Sequence, residues 1–186
     1  KLCYSMNIMP LSSAEFFFIR HGQLVAPYLN HLNMDYETLA ELALGTLDPN
    51  INNNAPQFFL QQTAGVDFSK VTAIYYNNSG HSSQRSLESA RCILTILQER
   101  YNKKLSLKGM PEIDEVKFDV RKLVSKSEFV KQGMPSLRVA LYQAVLYGGA
   151  TEIISAITKR IEVIRKVILQ HTSEGESVLF VTHDFL

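Results

Sequence analysis

Phe16-Phe17-Phe18-Ile19-Arg20-His21-Gly22-Gln23 joins a short, wholly apolar run to a basic, turn-forming tetrapeptide. The run has the length of a strand, and its residues are aromatic or β-branched, the types that fit a pleated surface. Working outward, the same composition recurs in Val71-Thr72-Ala73-Ile74-Tyr75-Tyr76 and in Val178-Leu179-Phe180-Val181-Thr182. None of the three alternates polar with apolar residues. Such runs read as strands covered on both faces, the condition of strands in a parallel sheet.

Helical patterns fill the intervals. Ser86 to Tyr101 places Leu87, Ala90, Ile93, Leu94 and Leu97 on one face. Glu152 to Gln170 repeats Ile153, Ile157, Ile161, Ile164 and Ile168, with Lys159, Arg160, Arg165 and Lys166 opposite as a solvated face. Weaker patterns cover Pro56 to Thr63, after the turn-forming Asn52-Asn53-Asn54, and Leu137 to Leu146, which ends before Gly148-Gly149. Lys104 to Leu107 reads as a fourth short strand. Strands alternating with helices predict an α/β fold, a mainly parallel sheet with helices on both faces in three layers. Residues 1–186 read as one domain. The charged span 115–147 reads as a peripheral insertion or lid, and Leu24 to Asn50 and Glu115 to Gln132 as loops around a site mouth. Because the chain stops at Leu186, directly after a strand, its C-terminal end reads as incomplete.

At 186 residues, with 46% apolar and 20% charged residues, the chain has the balance of a globular domain able to bury a core. A formal net charge of +1 supplies no long-range field for nucleic acid or an anionic membrane, and no aromatic residues interleave the Lys/Arg face of the last long helix pattern. No apolar run reaches the length of a membrane span, and Lys1 to Pro10 lacks the apolar core of a signal peptide. The two cysteines, Cys3 and Cys92, do not suggest a disulfide framework or a metal site. Cys92 reads as a small buried apolar residue. These features predict a cytoplasmic protein.

The decisive feature is the chemistry at the end of each apolar run. The first ends in Arg20-His21, the second leads through a Gly/Ser/Asn loop to Arg85, and the third ends in His183. A parallel sheet delivers the carboxyl ends of its strands to one edge, where ligands bind. Two arginines and two histidines meeting there require a compensating anion. A phosphoryl group meets the requirement, since guanidinium groups match its oxygens in pairs. His31, His171 and His81 lack such context; the first two read as surface residues, and His81 is the one of the three that could line the site mouth.

Arg20-His21-Gly22 after an apolar strand resembles the signature of the histidine phosphatase superfamily, the phosphoglycerate-mutase-like proteins. Arg85-Ser86-Leu87-Glu88-Ser89-Ala90 is similar to the family's R-x-x-x-T/S-A helix start. Met110-Pro111-Glu112-Ile113-Asp114 is similar to its L-x-E-I acid segment. Gly148-Gly149-Ala150-Thr151 is similar to its GGES turn, and Val181-Thr182-His183 to its second histidine strand. The resemblance runs from Phe16 to His183 and lies with the smaller branch of the superfamily.

What the resemblance implies is a phosphatase that needs no metal and no cofactor. His21 would be the nucleophile, forming a phosphohistidine. Arg20, Arg85 and His183 would hold the phosphoryl oxygens, helped by Gly22 and Gln23. Glu112 would be the proton donor, with Asp114, Glu115 and Asp184 as competitors. The substrate would be a small phosphorylated metabolite or a phosphoprotein. Two alternatives stand beside it. A mutase would resemble this site but typically carries L-N-E-R-H-Y-G where this chain has Met110 to Asp114. A phosphate-binding scaffold without turnover is the other, since the loop before Arg85 reads His81-Ser82-Ser83-Gln84 in place of S-P-L-x. Oligomeric state has no signature in the chain.

Overall fold

A computed structural model describes residues 14–25, 34–80, 83–114 and 116–183. Four strands, β1 (Phe16–Arg20), β2 (Val71–Tyr76), β3 (Ser106–Gly109) and β4 (Ser177–Thr182), form one all-parallel sheet in the order β1-β4-β2-β3. The three apolar runs are therefore the three strands expected from them. The fourth strand lies two residues later than Lys104 to Leu107 predicts, because Leu105 packs into the core ahead of the strand.

Side chains leave the sheet alternately, and each face has its own helical cover. Phe17, Ile19, Ile74, Leu179 and Val181 pack against Ala55 and Phe59 of α2 (Ala55–Gln62) and Ala90, Ile93 and Leu97 of α3 (Ser83–Tyr101). Phe16, Ala73, Tyr75, Val178 and Phe180 meet Val163, Ile164, Val167 and Ile168 on the other side. Those four residues belong to α6 (Thr151–Glu174). The result is the three-layer α/β architecture that unbroken apolar strands demand: every strand residue of β4 except Thr182 is buried.

A second apolar cluster forms beside the sheet. It joins α1 (Tyr36–Leu44) to α4 (Lys126–Gln132), α5 (Met134–Leu146) and the 3-10 turn Val120–Lys122, through Tyr36, Leu39, Ala43, Val124, Phe129 and Leu137. The loops expected at Leu24 to Asn50 and Glu115 to Gln132 thus each contain a helix. The signal for α1 is local: Asp35 accepts the Glu37 and Thr38 amide hydrogens at 3.0 Å, and Gly45, at φ +72°, ends the helix. Tyr36 Oη donates to the Val124 carbonyl at 2.7 Å and Phe118 N–H to the Ala43 carbonyl at 3.2 Å, tying the two spans together.

The Ile stripe expected along the last helix is used only in part. Ile164 and Ile168 pack against the sheet's cluster, but Ile161 is 59% exposed. Among the described residues no helix is long and apolar enough to cross a membrane.

Candidate active site

The parallel pairing of β1 with β4 builds the centre of the site. Arg20 stands opposite Thr182, and the His21 N–H donates to the Thr182 carbonyl at 2.9 Å, which extends the ladder one residue past the strands. His21 and His183 thereby leave the same sheet edge side by side, their ring centroids 5.1 Å apart and the rings inclined at 51°. Both are buried, at 5% and 6% exposure. Arg85, from the first turn of α3, is buried with them at 2%.

The tautomer of His21 is set by its contacts. Nδ1 lies 2.8 Å from the Gly22 carbonyl oxygen, which can only accept, so Nδ1 holds the hydrogen and Nε2 keeps the lone pair. Burial, and then the nearby His183, Arg85 and Arg20, hold the His21 imidazole well below its ordinary pKa. A neutral ring with an unprotonated Nε2 is a nucleophile ready at neutral pH. Burial and Arg85 likewise lower His183, to about 3, against a smaller opposing pull from Asp114. Neither ring nitrogen of His183 has a hydrogen-bond partner among the described residues, a costly state that an anion would relieve.

Gly22 stands at a close approach of backbone to its neighbours. A Cβ there would stand 3.2 Å from Ala55 Cβ, 3.4 Å from Phe59 Cε2 and 3.5 Å from Ile51 Cβ. A side chain there would crowd α2, against which the backbone after His21 nests closely. Its N–H donates to Ser89 Oγ at 2.9 Å, and that hydroxyl donates in turn to the Arg85 carbonyl at 2.6 Å. Gln23 is exposed, its backbone carbonyl accepting the Asn52 amide hydrogen at 2.7 Å and its Oε1 lying 3.5 Å from Asn52 Nδ2.

The acid segment leaves the sheet beside β2, where Met110 N–H donates to the Tyr76 carbonyl at 2.8 Å. Glu112 lies on the 3-10 turn Pro111–Ile113, half-buried, and its carboxylate makes no ion pair or hydrogen bond with the described residues. Asp114 is deeper, at 8% exposure. Its Oδ1 accepts from Asn77 Nδ2 at 2.7 Å, and its Oδ2 lies 3.2 Å from Lys117 Nζ. Arg160 donates to the Asp114 backbone carbonyl and adds to the field that lowers His183. It is therefore half-buried beside the site, not on the solvated face expected of it. Glu115, Asp184, His31 and His81 lie outside the described residues.

Two further groups escaped the sequence reading. Asn77, fully buried, donates its N–H to Ser86 Oγ at 3.0 Å and accepts from Ser79 N–H at 2.8 Å. Asp48 lies 3.6 Å from Arg85 Nε. An Asn just past an apolar strand was the available signal for the first; nothing local marked the second.

His171 is not a surface residue: it is 3% exposed. Tyr75 Oη lies 2.8 Å from its Nε2 and Glu176 Oε2 is 2.7 Å from its Nδ1. Glu174 completes a group whose potential ligand atoms lie within 4.8 Å of one another. Both ring nitrogens are already engaged, so the group is accounted for as a hydrogen-bonded tie between α6 and the sheet. It sits where β4 begins, at the amino edge, away from His183. Cys92 is half-buried on α3, not fully buried, and burial, with Glu88 adding to it, pushes its thiol up.

Against known proteins, no family model matches the chain and no curated protein matches it.

Proposed function

We propose that this protein is a histidine phosphatase that hydrolyses a phosphate monoester through a phosphohistidine on His21. One observation carries the reading: a buried imidazole with its Nε2 lone pair kept unprotonated faces a second buried imidazole at 5.1 Å, with Arg20 and Arg85 adjoining. Guanidinium and imidazole donors grouped in this way match the oxygens of a phosphoryl group.

In this reaction the Nε2 lone pair attacks phosphorus as the bond to the leaving oxygen breaks. Arg20, Arg85 and His183 hold the transferring group's oxygens, where charge accumulates in a loose transition state. Glu112 donates the proton that the leaving oxygen needs, and Asp114 is its nearest competitor among the described residues. The same carboxylate then removes a proton from water, which attacks phosphorus and returns the electron pair to Nε2. Fixed cations supply the charge, so the activity is independent of metal. The substrate is a small phosphorylated metabolite or a phosphoprotein, and the setting cytoplasmic.

The test is hydrolysis of an aryl phosphate with a chelator present, paired with quenching in alkaline denaturant after mixing with labelled substrate. Turnover and an acid-labile, base-stable label on the parent, both lost in His21→Ala, are expected. Turnover that survives in His21→Ala overturns the mechanism. Phosphate binding without turnover or label leaves the scaffold reading in its place.

A further inference from the structure

We propose that Asp48 is a positioning residue for the phosphoryl site, acting through Arg85; the proposal rests on the phosphatase reading above. Asp48 lies on the loop after α1, and its side chain is 15% exposed. Its two oxygens do different work. Oδ1 lies 3.6 Å from Arg85 Nε, and Oδ2 accepts the Gln84 N–H at 2.9 Å in the first turn of α3. One carboxylate thus lies within ion-pair distance of the guanidinium group and caps the turn of backbone from which it springs.

The need for this is electrostatic. A helix N-terminus is the positive end of the macrodipole, so Arg85 stands where its charge is opposed. Arg20, close enough to act on the same imidazoles as Arg85, adds to the burden. A carboxylate at that end offsets the repulsion and caps an amide that helix geometry leaves without a partner. It also orders a long, rotamer-rich side chain before substrate arrives. Glu88 braces the arrangement from one turn further on, accepting the Ile51 N–H at 2.9 Å and the Gln84 side-chain amide at 2.8 Å. Burial pushes Asp48 up, and the Gln84 N–H and Arg85 are the main groups opposing this.

This placement separates Asp48 from residues that touch the phosphoryl group. Its effect on catalysis should exist only while Arg85 is present, which a double-mutant cycle reads directly. Asp48→Asn suits the cycle because its side-chain oxygen can still accept the Gln84 N–H, while the charge is lost and an amide nitrogen replaces the oxygen that faces Arg85. The variants are Asp48→Asn, Arg85→Ala and the pair together, in the full chain. The readouts are kcat/KM on an aryl phosphate, orthophosphate Kd by calorimetry, and thermal unfolding. Where Arg85→Ala does not fold, Arg85→Gln takes its place.

Asp48→Asn is expected to lower kcat/KM by about 10–100-fold and to weaken orthophosphate binding, with Asp48→Glu restoring part of both. In the Arg85 variant the same substitution should change neither by more than about twofold. Parent-like kinetics in Asp48→Asn would overturn the proposal. So would an equal loss in both backgrounds, which marks a merely structural role. A parent that neither binds orthophosphate nor turns over an aryl phosphate overturns the phosphatase reading, and this proposal with it.

Discussion

Ser89 Oγ accepts the Gly22 amide hydrogen at 2.9 Å and donates to the Arg85 carbonyl at 2.6 Å, so one buried hydroxyl joins the segment after His21 to the turn that holds Arg85. The bond spans 67 residues of sequence. It couples two segments that must keep register if an imidazole and a guanidinium are to meet one anion.

Removing that hydroxyl leaves the buried Gly22 N–H without its acceptor. Ser89→Ala is expected to lower stability by about 1–3 kcal/mol and to reduce kcat/KM, while Ser89→Thr retains most of both. Urea unfolding and aryl phosphate kinetics on the two variants check this. Equal behaviour of the Ala and Thr variants would count against the bridge.

Gly22→Ala tests the close approach itself. The new methyl would stand 3.2 Å from Ala55 Cβ, a side chain fixed to helix backbone and unable to swing aside. The expected cost is about 1–3 kcal/mol of stability, with loss of activity because His21 moves with the displaced backbone. A variant with the parent's Tm would show that α2 yields more easily than its packing suggests.

Stability should fall in acid partly through His183. Unfolded, its imidazole takes up a proton as pH drops through about 6.5; folded, it resists until about 3, because of burial and Arg85. Between those values the unfolded state holds more protons, so stability rises with pH across the window and is lost as pH falls. His183→Gln is expected to flatten that slope by up to one proton. Urea titrations at several pH values between 7 and 4, parent against variant, give the difference.

His171 supplies the contrast of a buried histidine with no role in turnover. His171→Gln disturbs the contacts to Tyr75 and Glu176, so stability should drop by about 1–3 kcal/mol. The kcat/KM of the folded fraction should stay within about twofold of the parent. A large kinetic loss at preserved stability would contradict its assignment as a structural tie.

Much of the layout is legible in the chain itself. Phe16 to Ile19, Val71 to Tyr76 and Val178 to Thr182 lack alternation because both of their faces are covered, and composition alone reports that. The adjacency of His21 and His183 is legible too, since parallel strands put their carboxyl ends on one edge. Helix α1 carries a local signal only in its caps, Asp35 and Gly45, within a span that otherwise reads as a loop.

The amino-acid order by itself determined which segments become buried strands and which strand ends bear imidazole and guanidinium, because periodicity and strand-end chemistry are local properties. Only the folded chain decided that Asp48 meets Arg85, that Ser89 reaches Gly22, that Asn77 holds Asp114, and that His171 is buried against Tyr75. Those pairings join residues tens of positions apart through loops and helix starts. Their geometry depends on how layers pack, and no pattern along the chain encodes that distance.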